Sequence, residues 1–300
     1  MRSSTEHSYR ERILRVLIHI QQHLDEDLPL EDLAHVAHFS PFHFHRIFRG
    51  MVGEPVSEHI RRLRLERAAW QLKVGDRAII QLALDARYET HESFTRAFRA
   101  MFGVSPTQFR AVHRVPPYPS VPSEVHYEPE GGVTGFVPIE AGGEPMDVRV
   151  EEVRPIRVAF VRHTGPYAAC GAAWQKLCGW AGPRGLIGPS STFLGVSHDD
   201  PEVTPPEKIR YDACVTVPDS VQGEGDIGVQ EVGGGEYAIT THRGPYERLA
   251  QTYARLCGEW LPKSGREVRS APSLEFYRNS PETTPPEDLI TEVHVPLAPR

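Results

Sequence analysis

The sequence predicts two domains of different class. The first is an all-α domain of two helix-turn-helix units, and the second is an α+β domain of two pseudosymmetric ββαββ-like repeats. Three observations lead to this prediction: a short pattern recurs 50 residues apart, a different pattern recurs 79 residues apart later in the chain, and a proline-rich break separates them. Because hydrophobic residues recur at helical spacing in the first part and alternate in the second, the two parts differ in class.

The first repeat relates residues 40–49 to residues 90–99. The matched positions share residue type and spacing, and are Phe44 and Phe94, Arg46 and Arg96, Phe48 and Phe98, Arg49 and Arg99, and Gly53 and Gly103. In both copies, aromatic residues recur at helical spacing on one face, and arginines lie on the opposite face. Ser40 and Thr90 are suitable N-caps, and the glycines suit the C-terminal ends. The pattern predicts two amphipathic helices with basic outer faces.

A shorter helix is predicted before each copy, over residues 30–37 and 79–86. Each unit then has the helix-turn-helix plan. A longer helix over residues 56–72 is predicted between the units. Its arginines are candidates for contact with backbone phosphate, and are Arg61, Arg62, Arg64 and Arg67.

Several segments resemble the AraC family of transcription regulators, and they are Leu30–Ala34, Ser40–Phe48, Arg61–Ala69, and Ser93–Arg99 with Gly103–Pro106. The resemblance covers about residues 9–112. It implies that the second helix of each unit enters a major groove of promoter DNA. The base-facing positions implied are Phe42, His45, Arg46, His91, Glu92, Ser93 and Arg96. Helical spacing adds Arg49, Thr95 and Arg99 to the outer faces.

The chemistry of these residues fits base recognition. Arginines such as Arg46 and Arg96 can pair bidentately with guanine, Glu92 can accept from cytosine, and Phe42 can contact a thymine methyl group. Recognition helices one DNA turn apart, about 34 Å, can be carried by one chain with a rigid spacer. We therefore expect the protein to bind DNA as a monomer.

The second turn departs from the family. The family commonly has glycine there, whereas this chain has Arg87 before Tyr88. A left-handed backbone costs a non-glycine residue about 1–2 kcal/mol. The resemblance therefore predicts a strained turn at Arg87.

Charge is divided unevenly along the chain, whose formal net charge is −7. Residues 1–115 contain 17 Lys and Arg against 14 Asp and Glu, whereas residues 116–300 contain 16 against 26. An acidic second part repels DNA and attracts cations. Four dispersed cysteines and the absence of a long apolar stretch predict a cytoplasmic protein with no disulfide framework, metal site or cofactor.

The domain boundaries follow from composition. Prolines from Pro116 onward cannot continue a helix, and two glycine pairs follow. We expect a DNA-binding domain over 1–114, a linker over 115–144 in which residues 133–139 form an irregular strand, and a second domain over 145–300.

The second repeat relates two units of about 79 residues. His163–Tyr167 matches His242–Tyr246, and residues 148–153 match 227–232 at the same offset. Each unit reads strand, strand, Gly-Pro-Tyr turn, helix, strand, long loop, strand. This half resembles the GyrI-like effector-binding domain over about residues 146–298. In that family the domain binds small molecules, often lipophilic cations, in an aromatic pocket with a buried carboxylate, which corresponds to Glu275.

The repeat independently singles out Glu275, because its counterpart in the first unit is Gly195. Tyr277, two residues along the strand, is predicted to share its face. Further candidate wall residues are Trp174, Phe193, Tyr167 and Tyr246. Simpler roles stay open: the two turn tyrosines could cap their turns, Trp174 could be core, and Glu275 could form a surface salt bridge.

The leading interpretation is a transcription regulator whose second domain senses a small, lipophilic or cationic molecule. The order of the domains resembles Rob-type regulators of drug and solvent tolerance. The ligand could change domain orientation, contact with RNA polymerase or protein lifetime. Two alternatives are a hydrolase-like second domain, in which Glu275 acts as general base, and a module that docks a protein partner.

Overall fold

The computed structural model describes residues 2–112, 118–130, 132–139, 144–199, 201 and 204–299, with backbone alone for residues 2–4 and 42. The chain forms two compact units. The first comprises Met1–Glu6, Ser40–Ile47 and Ala141–Arg300, and the second comprises His7–Phe39 and Phe48–Glu140. Among the described residues, no helix combines the length and apolar character needed to cross a bilayer.

The N-terminal region is helical. Its helices are α1 (Arg2–Gln22), α2 (Leu30–Val36), α3 (Pro41–Val52), α4 (Val56–Val74), α5 (Ile79–Asp85), α6 (His91–Phe102) and α7 (Pro106–Ala111). The predicted pairs of short and long helices are α2 with α3 and α5 with α6. Their ends agree with the predictions to within two residues, because capping and stop signals are local to the chain.

Helix α6 shows how the sequence fixes its own ends. Thr90 Oγ1 accepts a hydrogen bond from the Ser93 N–H at 3.1 Å. At the other end, Gly103 has a φ of +77° and its N–H donates to the Arg99 carbonyl. Phe94 and Phe98 on its inner face are fully buried in a core that includes Phe109. The outer face of α6 is therefore held on a rigid apolar support.

Both helix-turn-helix turns contain a residue with left-handed backbone. Arg87 has a φ of +65°, as the resemblance predicted, and His38 has a φ of +54° at the equivalent place in the first turn. The two turns share one hydrogen bond, from the Phe39 N–H to the Ala34 carbonyl and from the Tyr88 N–H to the Ala83 carbonyl. This bond folds the chain back over the end of the first helix and forces the strained φ.

A buried carboxylate, that of Glu66, joins α4 to a later segment within the second unit. Its carboxylate is fully buried and accepts hydrogen bonds from Arg62 Nη1 at 2.8 Å and from the Tyr127 N–H at 2.8 Å. Ser123 and Val125 are also buried. Residues 118–130 therefore pack in this unit, although the sequence predicted a linker, because their backbone supplies a donor to a buried carboxylate.

Residues 132–139 contain no strand among the described residues, contrary to the irregular strand expected there. The Ile139 N–H donates to the Met51 carbonyl at 3.0 Å.

Two arginines of α4, predicted as phosphate contacts, bind groups of the protein itself. Arg62 pairs with Glu54 and Glu66, and Arg64 Nε donates to the Leu24 carbonyl. Arg62 thus ties α4 to the segment just before it, and Arg64 ties α4 to the segment just after α1.

Among its described residues, the C-terminal region contains one eight-stranded antiparallel sheet in the order β1-β6-β8-β7-β3-β4-β2-β5. The strands are β1 (Arg149–Val153), β2 (Ile156–Thr164), β3 (Phe193–Ser197), β4 (Arg210–Thr216), β5 (Gly228–Val232), β6 (Gly235–Arg243), β7 (Ser273–Tyr277) and β8 (Ile290–Pro296). Three helices accompany them, α8 (Gly171–Ala181), α9 (Leu249–Arg255) and α10 (Leu261–Ser264), with a π-helical turn over Leu256–Trp260 between the last two.

The pairing of β3 with β7 lies at the middle of this sheet. Its register places Gly195 opposite Glu275 and Ser197 opposite Ser273. Because side chains alternate along a strand, Ser273, Glu275 and Tyr277 share one face of β7. The two positions that the sequence repeat made equivalent are thus direct neighbours across the central strand pair.

We predict that His38→Gly will raise the free energy of unfolding by about 0.5–1 kcal/mol, because glycine adopts positive φ without steric strain. His38 is exposed, and the replacement leaves its backbone hydrogen bonds in place. The measurement is urea denaturation followed by circular dichroism.

The matched control is His35→Gly. His35 is also exposed but lies within α2, where glycine costs about 1 kcal/mol relative to good helix formers. Loss of stability in both variants would contradict the assignment of strain to residue 38.

Candidate functional site

The outer face of α6 is open. His91, Glu92, Arg96 and Arg99 are exposed, whereas Ser93 and Thr95 are half-buried. An open concavity of about 570 Å³ is lined by His91, Glu92, Thr95, Arg96, Arg99 and Ala100. The Ser93 hydroxyl donates to the Thr90 carbonyl at 2.9 Å and so reinforces the N-terminus of the helix. Five of the six residues predicted on this face thus line the concavity, and Ser93 does not.

The equivalent face of α3 is buried inside the first unit. The Phe42 side chain lies outside the described residues, His45 and Arg46 are buried, and Arg49 is half-buried. His43 Nε2 lies 3.0 Å from the Ala271 carbonyl. Since a carbonyl only accepts, this nitrogen carries the proton. Burial lowers the pKa of His43 to about 3, with the Arg46 charge as the second cause, so the ring is neutral.

Arg46 lies between β7 and α9. Its Nη1 donates to Ser273 Oγ at 2.8 Å. Its guanidinium carbon lies 3.7 Å from the centre of the Tyr253 ring. This combines a charge-assisted hydrogen bond with a cation–π contact, which strengthens when the cation is withdrawn from water.

The Tyr253 hydroxyl leads to the buried carboxylate that the sequence singled out. Glu275 is 7% exposed. Its Oε1 accepts hydrogen bonds from Tyr253 at 3.0 Å and from Ser197 at 2.9 Å, and its Oε2 accepts from Tyr277 at 3.0 Å. Tyr211 and Tyr277 hydroxyls are 2.8 Å apart. Since Tyr277 donates to Glu275, Tyr211 donates to Tyr277.

These phenols are fixed as donors. Burial raises the pKa of Tyr253 well above its ordinary value, and the Glu275 carboxylate raises it further. Burial also raises the pKa of Tyr277 and of Tyr211 well above the ordinary value, again with a contribution from Glu275. All three tyrosines therefore stay protonated at neutral pH and solvate the carboxylate in place of water.

Glu275 differs from Asp212, a fully buried carboxylate of the same sheet. Asp212 receives two hydrogen bonds from Arg162 and lies 2.9 Å from His198 Nε2, and these partners lower the pKa of Asp212 to about 2 against the effect of burial. Glu275, in contrast, forms no ion pair with any described residue. A buried carboxylate satisfied only by hydroxyls favours the approach of an external cation.

Aromatic side chains surround the carboxylate. Trp174 and Tyr246 contact the Tyr277 ring edge to face, with ring centres 5.7 Å and 5.5 Å apart. Phe193 lies 6.2 Å from Trp174. Tyr167 packs on Tyr211, and its hydroxyl donates to the Asp199 carbonyl at 2.6 Å, so it also anchors a loop. The structure brings all six predicted pocket residues into one cluster.

Comparison with known proteins agrees with this architecture. The family model described as a GyrI-like small molecule binding domain matches residues 146–298, half of the chain. The chain belongs to the GyrI-like family. A model described as a helix-turn-helix domain matches residues 33–111. The chain therefore combines an AraC-type DNA-binding domain with a GyrI-like small-molecule-binding domain.

Similar proteins are transcriptional regulators. The probable transcriptional regulator YgiV of Escherichia coli K12 is 34% identical over 157 residues, which is 51% of this chain and 97% of YgiV. The transcriptional activator AarP of Providencia stuartii is 35% identical over 98 residues, which is 33% of this chain and 73% of AarP. This GyrI-like chain is thus a DNA-binding transcription regulator and not an enzyme.

Sequence reasoning missed three residues of the site, Ser197, Tyr211 and Tyr253. Ser197 alternates with Phe193 and Gly195 on β3, so strand period was a usable signal for it. Tyr211 lies on β4, where no residue had been recognised. Tyr253 lies on α9 and had no such signal, because nothing local to a helix tells which strand its hydroxyl reaches.

No group of three or more His, Cys, Asp or Glu side chains in the described ranges is arranged to hold a metal ion.

Gly195 is explained by its neighbours. A Cβ atom there would lie 2.5 Å from the Tyr211 hydroxyl and 2.7 Å from the Tyr277 hydroxyl. The two rings can meet over the sheet only if residue 195 has no side chain. The difference between Gly195 and Glu275 therefore creates both the carboxylate and the space for the hydroxyls around it.

We predict that Gly195→Ala will lower the free energy of unfolding by about 1–3 kcal/mol, because the methyl group displaces the two tyrosine rings. Gly179→Ala is the control: it lies in α8, its added Cβ meets no atom, and it should stabilise the helix by up to about 1 kcal/mol. Chemical denaturation measures both. Equal stability of Gly195→Ala and wild type would contradict the close packing described.

Proposed function

We propose that the chain is a sequence-specific reader of promoter DNA in which α6 enters a major groove. The observation that carries this proposal is the open outer face of α6, with Arg96 and Arg99 exposed above the buried Phe94 and Phe98. A rigid helix that presents arginines supplies the bidentate donors that guanine requires. His91, Glu92, Ser93 and Thr95 would complete the reading face.

We further propose that α3 reads the second half of the site through Phe42, His45, Arg46 and Arg49. The two faces differ in residue type, so each unit would recognise different bases. One chain would then bind an asymmetric, directional site as a monomer.

Arg96→Ala should weaken binding to a selected site by about 10–100-fold, because a bidentate base contact contributes roughly 1–3 kcal/mol. The site is first enriched from randomised duplex DNA with the wild-type chain, and the affinity is measured by fluorescence anisotropy. Specificity should relax at one base pair only.

The control for this variant is Arg184→Ala, which removes an exposed arginine of the C-terminal region that pairs with Glu224. Its DNA affinity should equal that of the wild type. An Arg96→Ala variant that keeps wild-type affinity and base preference would refute the role of α6.

The effector is proposed to be a small lipophilic cation. Glu275 is buried with hydroxyl partners, and Trp174, Phe193, Tyr167, Tyr246 and Tyr277 supply aromatic surfaces that attract cations. We also propose that the two ββαββ-like halves are pseudosymmetric, so that Gly195 and Glu275 occupy equivalent positions. The site would then hold a single carboxylate for a single positive charge.

Glu275→Gln should weaken binding of the cationic dye rhodamine 6G by tenfold or more, because it removes the buried charge and keeps the shape of the side chain. Isothermal titration calorimetry with the full chain measures this affinity. Glu287→Gln, at an exposed carboxylate paired with Arg248, is the control and should bind the dye as the wild type does. Unchanged dye affinity of Glu275→Gln would exclude this carboxylate as the cation site.

A further inference from the structure

One arginine of α3, the second proposed reading helix, lies on the ring of Tyr253, whose hydroxyl donates to Glu275. Within the first unit, Arg46 is 8% exposed. Its guanidinium lies 3.7 Å from the centre of the Tyr253 ring, and the hydroxyl of the same ring donates to Glu275 Oε1. The guanidinium also donates a hydrogen bond to Ser273 Oγ at 2.8 Å, and Ser273 lies on the same strand as Glu275.

This arrangement has the chemistry that a cationic effector would need. An effector of that class places a weakly hydrated positive charge on an aromatic face close to a carboxylate. The guanidinium of Arg46 is itself planar and weakly hydrated. Tyr253 supplies the aromatic face, and its hydroxyl relays the negative charge of Glu275.

The neighbouring contacts hold the first turn of α3 in the same place. His43 Nε2 donates to the carbonyls of Ala271 and Arg269, at 3.0 Å and 3.2 Å. These two residues lie four and two positions before Ser273, in the segment that leads into β7. The turn of α3 that carries Arg46 is therefore fastened along the segment that leads to Glu275.

We propose that Arg46 is an internal cationic ligand of the effector site, and that Arg46 and a cationic effector exclude each other there. The proposal rests on the proposed functions of α3 and Glu275. While Arg46 lies on Tyr253, it cannot pair with a guanine edge. An effector that takes its place frees Arg46 for DNA.

The second reading helix gives an internal comparison. Arg96, the repeat counterpart of Arg46, is exposed on α6. The arginine on the proposed reading face of α3 is thus buried, whereas its counterpart on α6 is exposed. Because coupling between two binding sites is reciprocal, an effector that displaces Arg46 must raise the affinity for DNA by the factor by which DNA raises the affinity for the effector.

The first test measures the affinity of the full chain for rhodamine 6G in Arg46→Met. Methionine keeps an apolar side chain in the space but removes the competing cation. The dye should bind about tenfold more tightly than to the wild type, since a desolvated cation–π contact is worth roughly that factor. Arg96→Met removes the exposed counterpart, and its dye affinity should stay at the wild-type value.

A second pair of variants leaves Arg46 in place. Ser273→Ala removes its hydrogen-bond acceptor and should raise dye affinity by about threefold or more. The control Ser264→Ala removes a hydroxyl that donates to the Leu261 carbonyl at 2.7 Å, and it should not change dye affinity. Without dye, Ser273→Ala should also bind the selected DNA site more tightly than the wild type.

The outcomes separate this proposal from the function on which it rests. Dye affinities of Arg46→Met and Ser273→Ala equal to that of the wild type overturn the internal ligand, even where Glu275→Gln abolishes dye binding. If Arg46→Met does not fold, Ser273→Ala against Ser264→Ala decides the question. A further expected result is that saturating rhodamine 6G raises the DNA affinity of the wild type, and a fall in that affinity overturns the proposal.

Discussion

The C-terminal region depends on how it buries Glu275 without a counter-charge. A carboxylate withdrawn from water needs donors, and Ser197, Tyr253 and Tyr277 supply them. Bringing tyrosine hydroxyls over the middle of the sheet requires that Gly195 has no side chain. The glycine opposite the carboxylate and the meeting of the Tyr211 and Tyr277 hydroxyls are therefore both linked to the burial of one carboxylate.

The same charge reaches the DNA-reading part of the chain through Tyr253. Its hydroxyl is polarised by Glu275, and its ring carries Arg46. An aromatic ring hydrogen-bonded to a carboxylate binds a cation more strongly than an isolated ring does. Exclusion of water strengthens both the cation–π contact and the hydrogen bond. One side chain thus belongs to the carboxylate site and to the environment of a reading helix. The proposed coupling of ligand chemistry to recognition of DNA rests on these two contacts of Tyr253.

The helix-turn-helix units show how far local signals extend. The bounds of α2, α5 and α6 followed from apolar spacing, from Thr90 as a cap and from Gly103 as a stop, since each acts within a few residues. The strain at Arg87 was predicted from a departure in one position. The sequence did not predict the positive φ of His38, which accompanies the backbone hydrogen bond from the Phe39 N–H to the Ala34 carbonyl. The packing of residues 118–130 around Glu66 was also invisible to composition.

By itself, the sequence determined the two classes of domain and the bounds of the paired helices α2, α3, α5 and α6 to within two residues, and it singled out Glu275, because caps, periodicity and repeat offsets are written along the chain. Only the tertiary structure decided which hydroxyls satisfy that carboxylate and that Arg46 is buried while Arg96 is exposed. The two arginines occupy matching positions in matching helices. Their different environments arise from contacts more than 200 residues apart in the chain, and no local pattern encodes such contacts.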